Sequence, residues 1–184
     1  GALGIGYNTE LLAKKKVAAP ACWKDLVKPE FAGEVQMANP NASGTAYTAI
    51  ATLVQVFGEE EAFKYLKALH RNINNYPRSG VGPIKAAARG ETLASVSFIH
   101  DVVTEAQAGF PVKAVAPCEG TGYEIGSLSI VKGARNLDNA KKWYDWALSA
   151  EAQAVGSAAK ISYQVPLNKS APVPAQAPDH PANW

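Results

Sequence analysis

The chain has 184 residues, of which 18 are Lys or Arg and 16 are Asp or Glu, for a formal net charge of +2. That length suits one domain able to bury about 70% of the surface its unfolded form exposes, and the near-neutral balance offers no footprint for nucleic acid. No apolar run approaches the ~18 residues that span a bilayer, and no charged-then-apolar segment opens the sequence, so a soluble chain is expected. It begins with GALGIGYN, which reads as a strand in progress, so a processed or engineered piece of a longer protein is expected.

Taken in order, strands are predicted at residues 3–7, 34–38, 93–99, 112–116 and 124–131, several apolar enough to be buried on both faces. The basic cluster at 14–16 reads as a solvated loop. A helix over 43–57 places Tyr47, Ile50, Val54 and Phe57 on one face, and after Gly58 a second over 59–73 does the same with Phe63, Leu66 and Leu69. Further helices fit 81–89, 101–108, 137–149 and 151–159, with Gly90 and Gly109 as stops. Strands alternating with helices predict an α/β layer structure. After Val165 five prolines mark a tail that runs over a surface, and no internal repeat is found. Cys22 and Cys118 lack CxxC spacing; one disulfide closing a long loop and two buried thiols both remain open.

Three stretches carry chemistry. In NPNASGTAYT, Ser43 sits where an N-cap would, Gly44 removes a Cβ, and Thr45 adds a hydroxyl beside the first free amides, so the helix start offers donors and positive dipole to an anion. The same pattern would also serve as a cap alone, and no GxxxxGK[ST] accompanies it. In SVSFIHDVV, a β-run ends in His100 and Asp101, the carboxyl-end position where α/β sheets bind ligands; the plain alternative is an N-cap beside a half-buried ring. In PCEGTGYEIGS, Glu119 and Glu124 flank a Gly-Thr-Gly turn, and a carboxylate entering an apolar strand needs a partner.

The stretches ACWKDLVKPEFAGEVQMANPNASGTAYTAIATLVQVFGEEEAFKYL, the Ser79-Gly80 turn, GETLASVSFIHD and GTGYEIGSLSIVKGARNLDNAKKWYDWALSAEAQ resemble the periplasmic solute-binding proteins of ABC importers, in their ferric-iron-type (type II) branch. The resemblance implies the second lobe of that two-lobed α/β fold, a mixed sheet flanked by helices with extra C-terminal helices. It implies a hinge strand at 1–8, the lobe at 9–122, a return hinge strand at 123–133, and C-terminal helices and proline-rich tail at 134–184 that pack on a first lobe absent here. Iron-binding members carry two neighbouring tyrosines where this chain has His100-Asp101, and none of its seven tyrosines are adjacent. The trio His100, Asp101 and Glu124 instead resembles that of sugar-phosphate-binding members, where it hydrogen-bonds sugar hydroxyls. Ser43, Gly44 and Thr45, with Arg78, Ser79 and Gly80, would then take the phosphate. A periplasmic location, an ABC permease as partner, a small anionic solute as cargo and no cofactor follow from the resemblance, with ferric iron or another metal as the alternative cargo.

Other functions are weighed on the residues. A hydrolase built from Ser43, His100 and Asp101 is disfavoured because adjacent side chains on an extended chain point apart, and no GxSxG elbow is present. A metal site at His100, Asp101 and Glu124 has suitable donors but no fourth ligand in view. A pure interaction module would leave all of these residues structural. Micromolar binding needs about 8 kcal/mol, against about 0.3–1 from a helix end and about 1.5–3 per charged hydrogen bond, so half a cleft should bind weakly. Without a first lobe, Trp143, Trp146 or Tyr144 would face solvent, with self-association or exchange of the terminal segment as the expectation; the plain alternative is that these aromatics fill the chain's own core.

Overall fold

The computed structural model describes residues 1–177, which divide into one compact unit, Gly1–Glu124, and a second beginning at Ile125. Pro178 and Pro181 of the expected tail lie outside the described residues. Among the described residues no helix is long and apolar enough to cross a membrane.

In the first unit, strand β1 (Leu3–Asn8) alternates its side chains strictly. Leu3, Ile5 and Tyr7 enter the main core, whereas Gly6 lies against Ile84, Ser95 and Val102 on the other face. Asn8 closes the strand and caps helix α1 (Thr9–Lys15), its Oδ1 accepting from Leu11 N at 2.9 Å while Nδ2 donates to Ala87 O at 2.8 Å. The basic cluster read as a loop is therefore the last turn of α1, where cations complement the dipole, with Lys16 as a left-handed cap. Two short 3₁₀ turns, Trp23–Val27 and Pro29–Phe31, lead to β2 (Val35–Gln36). Helices α2 (Gly44–Phe57) and α3 (Glu59–Asn72) follow, then β3 (Ile73–Asn75), α4 (Gly82–Ala88), β4 (Ala94–Phe98), α5 (Ile99–Gln107) and β5 (Val112–Val115).

The five strands form one mixed sheet in the order β3-β2-β4-β1-β5. β2 runs parallel to both β3 and β4, whereas β1 runs antiparallel to β4 and β5. Trp23, Leu26, Phe31, Ala49, Leu53, Ala62 and Leu69 fill one face of the sheet, with Ile84, Ala87, Val102 and Val112 on the other. The three layers match the expected α/β lobe.

The buried faces of two helices differ from the expected stripes. In α2 the core takes Ala46, Ala49 and Leu53, leaving Tyr47 67% exposed; in α3 it takes Ala62, Tyr65 and Leu69, leaving Phe63 48% exposed. Alanine lets α2 lie close to the sheet, so the helix turns its small residues inward. The strand expected at 124–131 does not form: only an isolated Ala2–Tyr123 bridge precedes it. An apolar run without a strand to pair with leaves its amides to other partners, and no ladder results.

The loop that returns to β1 is fastened to the first 3₁₀ turn. Cys22 and Cys118 form a disulfide across 96 positions, which settles the open question of their state. Beside it, Glu119 accepts from the backbone nitrogens of Trp23 and Lys24 at 2.7 and 3.0 Å, and the Trp23 indole donates to Gly120 O at 3.0 Å.

The second unit contains α6 (Leu137–Ala147) and α7 (Ala150–Ala158). Asn168 ties the following segment back, its Nδ2 donating to Leu148 O and its backbone nitrogen to Gln153 Oε1, both at 2.8 Å. Helix α6 buries none of its side chains; Trp143 and Trp146 are 61% and 41% exposed with ring centroids 4.8 Å apart, as expected, and Tyr144 is half-buried.

Opening the Cys22–Cys118 bond by the double change Cys22→Ser and Cys118→Ser should lower the unfolding free energy by about 3–5 kcal/mol, because a very long loop is released in the unfolded chain. Urea denaturation of the two proteins measures it, and equal midpoints would contradict the staple.

Candidate functional site

Because β2, β3 and β4 are parallel, the segments leaving their carboxyl ends emerge at one edge of the sheet, and antiparallel β1 brings Gly1 to that same edge. This geometry gathers most of the residues singled out from sequence.

Ser43 is the N-cap of α2: it is buried, its backbone is extended, and its Oγ accepts from Ala46 N at 3.4 Å. A Cβ on Gly44 would meet nothing within 4 Å, so the space beside the first residue of the helix is open. Gly80 closes on this helix start from the segment after β3. A Cβ there would collide with Thr45 Oγ1 and lie 3.1 Å from Ser43 Oγ, so only glycine admits the contact. Asn39 N donates to Pro77 O at 2.8 Å, joining the two segments, and Arg78 and Ser79 stand exposed on the turn between. Arg78 makes no ion pair among the described residues. Gly80 thus brings the 78–80 turn against Ser43 and Thr45, so the two segments expected to hold a phosphate adjoin at the start of α2.

His100 and Asp101 lie in the first turn of α5, which follows the carboxyl end of β4 directly. The helix begins at Ile99 after Phe98, which has no side-chain cap bond, so Asp101 is not an N-cap. His100 stacks on Phe98 with centroids 5.4 Å apart, and a Cβ on Gly1 would lie 2.5 Å from its ring. Its Nε2 stands 3.5 Å from Asp101 Oδ1, so the two side chains approach each other, which an extended chain would have prevented. The hydrolase argument from divergent directions is thus corrected. What disfavours the hydrolase is that Ser43 Oγ is engaged as a cap while His100 leans on Phe98 and Asp101.

Glu124 completes the edge from an exposed loop. Its backbone pairs with Gly1, through Glu124 N to Gly1 O at 2.9 Å and the Gly1 amino group to Glu124 O, and its Oε2 accepts from Thr48 Oγ1 at 3.2 Å. Glu119, the rival carboxylate, is occupied as the cap described above and belongs to the staple. Thr48 does not stand out in the sequence, where the apolar periodicity of this helix is the stronger signal. Thr45, Thr48 and Thr52 recur at i, i+3 and i+7, a polar stripe on one face that the spacing alone could have shown.

A metal reading finds no compact support at the trio. Among the described residues, the three-residue group whose donor atoms lie within 4.8 Å of one another is Cys22, Cys118 and Glu119, and its sulfurs are spent in the disulfide.

Burial governs the charges. Desolvation pushes His100 down to about 4, helped by the nearby Gly1 amino group, so the ring is neutral near pH 7. Desolvation and then the Glu105 carboxylate push Asp101 up to about 6, against the pull of Lys85 and the Gly1 amino group. The contact at 3.5 Å is therefore a neutral imidazole beside a carboxylate, not an ion pair. The two groups act in opposite senses. His100 contributes stability above its unfolded value near 6.5 that is lost as pH falls towards 4, whereas the contribution of Asp101 is complete below 3.8 and lost as pH rises through 6. An ionised Asp101 thus costs stability at neutral pH, as groups kept for binding often do. Asp101→Asn should raise the unfolding free energy by about 1–3 kcal/mol at pH 7.5, with the gain shrinking by pH 4.5. Urea titrations at the two pH values check this, and a loss of stability at pH 7.5 would contradict it.

Comparison with known proteins agrees with this architecture. The family model for bacterial extracellular solute-binding proteins matches residues 1–184. An uncharacterized protein of Haemophilus influenzae is 52% identical over 172 residues, which is 93% of this chain and 50% of that protein. Among solved structures, the periplasmic binding protein AfuA of Actinobacillus pleuropneumoniae, with exogenous fructose-6-phosphate bound, superposes with a TM-score of 0.94 at 49% identity, over 97% of this chain and 56% of that one. The periplasmic binding protein P5PA superposes at 0.92 with 44% identity and the same coverage. The chain spans about half the length of these relatives. It belongs to the bacterial extracellular solute-binding protein family.

Proposed function

We propose that this chain supplies one wall of the cleft of an ABC-importer solute-binding protein that captures a small phosphorylated sugar. The observation that carries this is the approach of Gly80 to Ser43 and Thr45, which pairs the α2 amino terminus with the Arg78–Ser79 turn. A phosphate there would accept from amide and hydroxyl donors, gain from the dipole, and be within the reach expected of the Arg78 guanidinium, whose fork matches two of its oxygens. Glu124 hangs beside Thr48, three residues beyond Thr45 and therefore about 4.5 Å further along the helix axis, a separation suited to the body of a monosaccharide. Carboxylates of Glu124 and Asp101 accept from sugar hydroxyls, and neutral His100 can donate or accept. The bound sugar phosphate of AfuA, a relative 49% identical, is consistent with this.

In this reading the first unit forms the second lobe, and the exposed aromatic face of α6 meets a first lobe in the longer protein. Ligand would shift an open–closed equilibrium of the lobes, and the closed form would be handed to a membrane permease. A periplasmic location accords with the disulfide, which an oxidising compartment maintains. No bond of the ligand is made or broken. Ferric cargo is less well supported, since the position after β4 presents His100 and Asp101 where phenolates would favour iron.

Titration of the chain, followed by calorimetry or NMR shifts, should show fructose 6-phosphate binding more tightly than inorganic phosphate, with Fe³⁺ giving no saturable signal. Asp101→Ala should weaken the sugar phosphate about 10-fold and phosphate little, the loss of roughly one hydrogen bond to a charged group. A response to Fe³⁺ alone would transfer the trio to metal binding.

A further inference from the structure

Two segments converge on the threonine stripe of α2. Thr45 meets the Gly80 turn, Thr48 donates to the Glu124 carboxylate, and Thr52 packs under Gly122 so closely that a Cβ at 122 would overlap its hydroxyl and lie 3.1 Å from its Cβ. The stretch from 121 to 124 is pinned elsewhere only through its backbone and one hydroxyl. Thr121 Oγ1 donates to Leu3 O at 2.9 Å, Leu3 N donates to Gly122 O at 2.9 Å, and Glu124 N donates to Gly1 O at 2.9 Å. These contacts fix where Glu124 leaves the chain, but none touches its carboxylate. The side chain is exposed and has two further rotatable bonds beyond Cβ, so a backbone anchor leaves several rotamers open. Its one side-chain hydrogen bond among the described residues is the one from Thr48.

We propose that Thr48 is the positioning residue for Glu124, turning its carboxylate toward the edge at which Ser43 and Thr45 sit, so that one helix sets both the anion donors and the hydroxyl acceptor of the site. This rests on the sugar-phosphate reading above. The chemistry is specific to the hydroxyl. Thr48 uses its single proton on Oε2, which leaves the other carboxylate oxygen and the remaining lone pairs of Oε2 for a ligand's hydroxyls. Because the donor lies three residues beyond Thr45 on the same helix face, the distance between the two recognition points is set by a rigid element and not by loop conformation. Such a ruler discriminates ligands by the spacing between phosphate and hydroxyl.

The test compares Thr48→Val, which keeps the shape and loses the proton donor, with Thr48→Ala and with Thr48→Ser, which restores the hydroxyl. Each full chain is titrated with fructose 6-phosphate and with inorganic phosphate, and thermal unfolding reports the integrity of the fold. Thr48→Val and Thr48→Ala should each weaken fructose 6-phosphate about 10-fold while phosphate changes less than about twofold, and Thr48→Ser should stay near the parent. Equal sugar affinity in Thr48→Val and the parent would overturn the proposal, as would parallel loss of both ligands or failure of serine to rescue. If the parent chain itself binds fructose 6-phosphate no better than phosphate, the sugar-phosphate reading fails and this inference with it. The parent titration therefore separates the two failures.

Discussion

The contact of loop backbone with the amino-terminal half of α2 organises this molecule. Helix ends leave amides unpaired, and the usual remedy is water or a cap. Here Ser43 supplies the cap while the next residue carries no side chain and the neighbouring turn approaches through another glycine. Without that approach the Arg78–Ser79 turn would stand away from the helix, and the anion-friendly groups would be scattered over a surface instead of gathered at one point.

The sheet topology explains why the gathering happens at this edge. Parallel strands send their connections out at the same side, and the lone reversal at β1 returns the chain's first residue to it. The glutamate that arrives there belongs to a loop fastened twice over, by a covalent bond and by a carboxylate that caps a 3₁₀ turn. The division of labour between the two glutamates follows from burial and partners: Glu119 has two backbone donors to satisfy, while Glu124 keeps acceptor capacity in reserve.

Much of the lobe was legible in the chain because its signals are local. Ser43 before a helical run and Gly58 between two such runs bounded α2 and α3 to within a residue, and the apolar stretches of β1, β4 and β5 declared themselves. β3 did not, since Ile73-Asn74-Asn75 has no strand composition and exists through pairing with β2. The opposite error arose at 124–131, where apolar composition suggested a strand with nothing to pair against. For the site, residue types and order were readable, and the resemblance to known binding proteins named the trio. A helix over 101–108 was readable, but its start at Ile99, which takes His100 into the first turn, was not, because a β-run gives no warning of the residue at which it turns into a helix. The stripe of threonines is masked for a different reason: the apolar periodicity of the same helix is the stronger signal.

The long-range bond between Cys22 and Cys118 also bears on how the unit is made. β1 pairs with β4 and β5, about 90 to 110 positions later in the chain, so the strand that joins those two in the sheet has no partner until most of the unit has been synthesised. Contacts of such high sequence separation slow folding, because loop-closure entropy is lost before the pairing compensates for it. Until then the LGIGYN segment is an unpaired strand, and because the Cys22–Cys118 bond closes a loop that begins after it, only its pairing with β4 and β5 keeps it from a neighbouring chain.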